Sequence, residues 1–212
     1  MTPDEIRHCD NEVVQQFIDL AEEHNLLLIS DEAYDEVYYG DLPASPMRRL
    51  PLESGRCVGV YTFSKTYSMT GWRLGYTVAS RPISAMLTKL QEPTISCASP
   101  ISQRAGLAAL LGPQDFVVEQ RQKLMARRDL VLGKLRAAGR SAYVPQGAFY
   151  ILVDVRPQGS RDFALSLLES RSVSVAPGVA FGAHGDGFVR ISYASGGDRL
   201  GEALDRILQA LG

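Results

Sequence analysis

The sequence predicts an α/β layer followed by a smaller α+β unit. Three observations carry this reading. Two short aliphatic runs without polar alternation, at 26–30 and 57–63, have the composition of strands covered on both faces. Together with the helical periodicity before them they give the order helix, strand, loop, strand that builds such a layer. Beyond a long helical stretch the chain then alternates short strands with helices. The 212 residues suffice for one large domain or two small ones, at about 150 residues per domain. The boundary is expected inside or beside the long helix, giving units at 1–120 and 121–212.

Taken in order, Thr2-Pro3-Asp4-Glu5 has the form of a helix start, with Thr2 as cap and Pro3 in the first helical position. Asp10 offers a second cap. Val13, Val14, Phe17, Ile18 and Ala21 then make one apolar helical face that ends near His24-Asn25. Residues 26–30 are predicted as a fully buried strand whose end carries Asp31-Glu32, and 57–63 as a second, with Lys65 just past it. A third strand is predicted at 74–79. Ligand sites in open α/β sheets gather outside the carboxyl ends of parallel strands. If the first two strands are neighbours, Asp31 and Lys65 meet at one rim.

Helices are predicted at 82–90 and at 100–111, the second starting near Ser99. A long helix opens at Pro113 and stops at Gly139. Val117, Val118, Leu124, Met125, Val131, Leu132 and Leu135 lie along one of its sides, and Arg121, Arg127, Arg128 and Arg136 read as a solvated face. Strands at 150–153, 173–175 and 188–193 follow, with helices at 160–170, capped by Ser160, and at 200–211.

Composition narrows the function. With 45% hydrophobic and 22% charged residues and a formal charge of -2, the chain has no clustered basic face of the kind that nucleic acid or an anionic membrane demands. A small-molecule role is favoured. The polar, acidic start lacks the pattern of a signal peptide, and the longest aliphatic run is far too short to span a bilayer. Cys9, Cys57 and Cys97 stand far apart, without metal-ligand spacing, and are read as free thiols in a reducing, cytoplasmic setting.

Residues 61–76, YTFSKTYSMTGWRLGY, carry the chemistry. Lys65 is flanked by Phe63, Tyr67, Met69 and Trp72, and apolar surroundings disfavour an ammonium, as a lysine that attacks a carbonyl requires. Arg73 directly precedes a strand, so its planar fork can reach back and grip an anionic group, and Thr62 and Ser64 add hydroxyl donors on the same side. Asp31 supplies a carboxylate able to hold a protonated ring nitrogen. A reactive amine, a phosphate clamp and a carboxylate for a pyridinium are the parts that pyridoxal phosphate needs. Each residue also has a plainer role open to it. Asp31 can cap the next segment, Tyr34 can be a packed ring and Arg190 a surface strand residue.

The blocks LLLISDEAYDEVYYG, FSKTYSMTGWRLGY, GAFYILVDV, VAPGVAFG and FVRISYA follow one another as in the class I/II aminotransferases of the fold type I pyridoxal-phosphate superfamily, which the chain resembles from about Asp10 onward. The resemblance implies the C-terminal part of that family's large domain, a mostly parallel sheet with helices, followed by its small α+β domain. It implies pyridoxal 5'-phosphate as cofactor, with an L-amino acid and a 2-oxo acid as substrates. By the same resemblance Lys65 is the lysine that bonds the cofactor and shuttles the proton at the substrate Cα. Asp31 pairs with the pyridine nitrogen, and Tyr34 bonds the cofactor's 3'-oxygen. Thr62 and Arg73 bind phosphate, and Arg190 receives the substrate α-carboxylate. Glu32, Asp35 and Glu36 are expected to be solvated, and His8, His24 and His184 match nothing catalytic.

Family members also carry, ahead of the stretch matched here, a glycine-containing phosphate loop, an aromatic ring stacked on the pyridine and an N-P-x-N-P-T-G motif. None of these occurs in the sequence, which is therefore expected to represent the C-terminal portion of a family member, with an open edge on strands that would otherwise be central. Family members are homodimers that share site residues across the interface. Two other readings stand beside the aminotransferase: a lyase or decarboxylase of the same superfamily, and a non-catalytic fragment with residual cofactor binding.

Overall fold

A computed structural model describes residues 10–212, so the helix start at Thr2, His8 and Cys9 lie outside the described residues. The chain divides into two compact units within its long helix, one ending at Glu119 and the other running from Gln120 to Gly212. Among the described residues no helix is long and apolar enough to cross a membrane. None of their His, Cys, Asp and Glu side chains form a group that could hold a metal ion.

The first unit opens with α1 (Asn11–Glu23), where the Asp10 carboxylate accepts hydrogen bonds from the Glu12 and Val13 backbone N–H groups. Val14, Ile18 and Ala21 form its buried stripe. Phe17, expected on that face, is 52% exposed, so the stripe is narrower than the sequence suggests. A three-stranded sheet follows in the order β1-β2-β3, from β1 (Leu28–Asp31), β2 (Cys57–Thr62) and β3 (Gly75–Val78). β1 runs parallel to β2, and β3 runs antiparallel to it.

Of the two expectations for the run at 26–30, full burial is overturned and an open edge is met: among the described residues it is an edge strand, with Leu26, Leu27 and Ile29 exposed and Ile29 72% open to solvent. The reason is position: among the described residues β1 has a neighbour on one flank only, whereas β2, between two strands, buries Cys57 and Val58.

Past β2 the chain enters the single turn α2 (Phe63–Thr66), then a 3-10 turn at Thr70–Trp72. Phe63, Met69 and Leu74 form a small core beneath it, with Tyr67, Ala98, Ala105 and Ala109 packed around them. The alanines come from α4 (Pro100–Leu111) and the segment leading into it. Gly106 of α4 approaches so closely that a Cβ there would lie 2.4 Å from Leu74 Cδ2. The preceding helix, α3 (Arg81–Ile95), extends five residues beyond its expected end at Leu90 and accommodates Pro93.

Helix α5 (Asp115–Ala137) carries the division between the units. Its C-terminal half buries Val131, Leu132 and Leu135, while Val118 and Met125, expected on the same side, are exposed. Gly139, at φ +69, turns the chain out of the helix. Two arginines of the expected solvated face are tied down instead: Arg127 donates to the Ala194 carbonyl and Arg128 to the Pro145 carbonyl.

The second unit holds β4 (Tyr150–Asp154), α6 (Ser160–Arg171), β5 (Ala176–Pro177), β6 (Phe188–Ser192) and α7 (Asp198–Leu211). Its sheet is antiparallel in the order β4-β6-β5, so β6 is central and Arg190 sits opposite both Leu152 and Ala176. Alternation along β4 and β6 sends Ile151, Val153, Val189 and Ile191 into the core. There they join Phe163 and Leu167 of α6 and Leu200, Leu204 and Ile207 of α7. Each such side chain stabilises the unit by about 1.5–3 kcal/mol when fully buried. Two boundaries shift from expectation. The strand expected at 173–175 pairs only at Ala176–Pro177, and Ser160 is the first helical residue after Gly159 rather than the cap.

Candidate functional site

Topology alone gathers most of the residues singled out from the sequence. Because β1 and β2 are parallel, with Asp31 opposite Val60, their carboxyl ends share one rim of the sheet. β3 returns from that rim, so its first residue, Gly75, pairs with Thr62, and Arg73 lies two residues before it. Asp31, Thr62, Ser64, Lys65 and Arg73 therefore stand at the same rim, with Tyr34 in the segment leaving β1.

Thr62 makes the turn. Its backbone is extended, its Oγ1 accepts from the Ser64 N–H at 3.1 Å and donates to the Leu74 carbonyl at 3.4 Å, and α2 begins at the next residue. Lys65 follows, half-buried on this single helical turn, with Nζ 5.9 Å from the centre of the Tyr34 ring. Of the four apolar neighbours expected around it, Phe63 and Met69 are buried and Tyr67 half-buried, but Trp72 is 44% exposed. Arg73 adopts the left-handed conformation at φ 50 and donates from Nη1 to the Thr70 carbonyl at 3.0 Å. One such bond leaves most of its five donors for another acceptor.

Asp31 is exposed, and its Oδ1 accepts from the Ala33 N–H at 3.0 Å. The capping role open to it from the sequence is thus present, and it coexists with the rim position. Asp35 and Glu32, expected to be solvated, are the larger correction. Glu32 is 9% exposed and accepts hydrogen bonds from the hydroxyls of Ser30, at 2.8 Å, and of Ser45. Its backbone N–H donates to the Val60 carbonyl, continuing the β1-β2 ladder. Asp35 accepts from the Thr66 hydroxyl at 3.3 Å, which links the segment bearing Tyr34 to the turn bearing Lys65. The available signal was Ser45-Pro46, a turn start whose serine can face inward, but only the fold brings it to Glu32.

These carboxyls set the local electrostatics. Burial, reinforced by the Glu36 charge, pushes the Asp35 carboxyl above its ordinary value despite the Thr66 bond. The Tyr61 phenol is pushed up to about 12 by burial and then by the charges of Glu32 and Asp35. Burial first, and acidic neighbours second, also raise Tyr67 and Tyr76. Tyr61 stacks on its cross-strand partner Tyr76 with centroids 4.9 Å apart and planes 6° from parallel.

Arg190, in the other unit, is placed by different means. Its guanidinium lies between two rings, 4.1 Å from the centre of Tyr150 on β4 and 4.2 Å from Phe181. Phe181 ends a 3-10 turn at Gly178–Phe181. Among the described residues no hydrogen bond or ion pair engages this guanidinium. Aromatic faces hold a cation while leaving its edge donors open, an arrangement chemically able to receive an anion.

Known proteins resemble the chain over nearly its whole length. The family model described as aminotransferase class I and II matches residues 7–211. The chain is 37% identical to the aspartate aminotransferase of Pyrococcus horikoshii over 207 residues, covering 95% of this chain and 52% of that protein. It is 41% identical to the aspartate aminotransferase of Rhizobium meliloti, covering 90% of this chain and 49% of that one. Among solved structures, the aspartate aminotransferase of Thermotoga maritima superimposes with a TM-score of 0.85 at 37% identity, over 94% of this chain and 52% of that one. The chain thus spans about half the length of the curated relatives it matches. With the family model covering nearly every residue, the chain belongs to the class I and II aminotransferases, on a fold type I framework.

Proposed function

We propose that this chain carries the lysine-bearing and carboxylate-binding residues of a pyridoxal-phosphate-dependent aminotransferase that moves an amino group between an L-amino acid and a 2-oxo acid. The observation that supports it most is the convergence of an amine, a guanidinium, two hydroxyls, a phenol and a carboxylate at one rim, with the Lys65 amine 5.9 Å from the Tyr34 ring centre. That donor set fits pyridoxal phosphate: every polar group of the cofactor has a chemically matched partner among these residues.

When bound, the cofactor supplies an electron sink for the carbanion at the substrate Cα. Lys65 Nζ would hold the cofactor at its aldehyde carbon and would move the proton at the substrate Cα. Asp31 holds a proton on the pyridine nitrogen, which strengthens the ring as electron acceptor. Tyr34 donates its phenolic hydrogen to the 3'-oxygen. Thr62, Ser64 and Arg73 bind the phosphate, Arg73 by its planar fork. Arg190 receives the substrate α-carboxylate with the edge donors that its two flanking rings leave open. The reading includes a role in amino-acid metabolism and biosynthesis. It includes a homodimer, supported by large apolar side chains exposed in the first unit, such as Ile29 at 72% and Leu111 at 78%. It also includes a reducing, cytoplasmic setting, supported by the free thiols Cys57 and Cys97.

The test is covalent capture. Incubation with pyridoxal phosphate, reduction with borohydride and peptide mapping should place the pyridoxyl group on Lys65, and Lys65→Ala should remove it. In a separate, unreduced sample, addition of L-amino acids should release the matching 2-oxo acids. Labelling spread evenly over Lys89, Lys123 and Lys134 as well as Lys65 would refute the proposal.

A further inference from the structure

The loop over Arg190 is built more rigidly than a loop with no role requires. Residues 178–187 form two successive 3-10 turns, Gly178–Phe181 and Ala183–Gly185, and return to β6. Gly178 and Gly185 cross so closely that a Cβ on Gly178 would lie 2.1 Å from the Gly185 carbonyl oxygen. Only hydrogen fits at either position. The crossing is fastened from outside by Asp186. A single oxygen, Oδ1, accepts from the Ser160 backbone N–H at 2.8 Å, the Ser160 hydroxyl at 2.8 Å and the Gly187 N–H at 3.0 Å. The Ser160 hydroxyl in turn accepts from the Val179 N–H at 3.2 Å, and Ser160 is wholly buried. Both ends of the loop are therefore pinned to the first residue of α6.

We infer that Asp186 is a positioning residue for substrate carboxylate binding: by pegging the 178–187 loop to Ser160 it holds Phe181 against the Arg190 guanidinium. This rests on Arg190 being the carboxylate receptor proposed above. The physical link is geometric. Phe181 is 55% exposed, so little burial of its own keeps it in place, and its ring reaches Arg190 only while the turn that ends on it stays docked. With the ring displaced, one face of the guanidinium is open and the fork is free to swing. A mobile fork loses the bidentate match to a carboxylate.

The experiment uses the full chain and phenylglyoxal, which adds to accessible guanidinium groups, with peptide mapping to follow each arginine separately. In Asp186→Ala the modification rate at Arg190 should rise roughly tenfold or more, since losing even one of the three charge-assisted hydrogen bonds to Oδ1 gives loop opening about that factor. Protection of Arg190 by 2-oxoglutarate should fall in parallel. Phe181→Ala should reproduce both effects. Asp186→Asn keeps an accepting oxygen and should stay within roughly threefold of the parent. Arg140 and Arg206, held on the same unit by carbonyls of Leu211 and Arg171, serve as internal controls for unfolding. An unchanged Arg190 rate in Asp186→Ala overturns the inference, as does equal acceleration at all three arginines or an Asp186→Asn variant as reactive as Asp186→Ala. Failure of 2-oxoglutarate to slow Arg190 in the unaltered chain overturns the carboxylate reading instead, whatever Asp186→Ala does.

Discussion

Replacing Ser45 by alanine removes two hydrogen bonds with one oxygen. The Ser45 hydroxyl donates to the buried Glu32 carboxylate, and it accepts from the Met47 N–H at 3.1 Å, capping the 3-10 turn Pro46–Arg48. Ser45 is 3% exposed, so water has little access to replace either bond. A buried bond to a charged group is worth about 1.5–3 kcal/mol and a cap about 0.5–1 kcal/mol here, so Ser45→Ala should cost the first unit about 2–4 kcal/mol. The chain's only tryptophan, Trp72, lies in that unit and reports its unfolding by fluorescence. At a urea slope of about 2 kcal/mol/M the midpoint should fall by roughly 1–2 M. In a Glu32→Gln background the charge is gone, and the same substitution should cost only about 1 kcal/mol, mostly the cap. Equal costs in the two backgrounds, or a midpoint that hardly moves, would mean that Glu32 does not depend on Ser45.

Two further outcomes follow from the same unit and its neighbour. The Asp35 carboxyl is raised above its ordinary 3.8 chiefly by burial, so the folded state binds more protons than the unfolded one just above that pH. Stability should then decline as pH climbs from 3.8 through the raised value, and Asp35→Asn should flatten that decline in urea melts taken pH by pH. A decline of the same steepness in the variant would assign it to other groups. Gly106→Ala and Gly133→Ala should move stability in opposite directions. The first drives a methyl to 2.4 Å from Leu74 Cδ2, an overpacking cost of about 1–3 kcal/mol that outweighs a helix-propensity gain of about 1 kcal/mol. The second meets nothing within 4 Å on α5 and keeps the gain. Thermal melts of the pair decide it, and stabilisation by both would show that the contact at Gly106 relaxes freely.

Much of this was legible in the chain itself. The Asp10 cap, the bounds of α4, the stop at Gly139 and the strand that ends at Tyr61-Thr62 are local matters, fixed by turn chemistry and side-chain periodicity within a few residues. The spacing of Lys65 and Arg73 around one turn belongs to the same category, as does the order of motifs that placed the chain in its family.

What the sequence could not settle depends on which surfaces meet. The run Leu26 to Ile29 has the composition of a central strand, yet among the described residues β1 has a partner on one flank only and the run is exposed, since burial is a property of neighbours and not of residues. Glu32 reads as a solvated acid beside Asp31, but the fold closes Ser30 and Ser45 over it, and a carboxylate can be buried only where such donors arrive. Ser160 has the right residue type for a cap, and Asp186, 26 positions away, turns it into the anchor of the loop over Arg190. The sequence by itself determined the chemical identity and order of the candidate site residues, since side-chain type and spacing are written in the chain. Only the tertiary structure decided which of those groups are sheltered and what holds them, because contacts between distant segments exist only once the sheets and helices have packed.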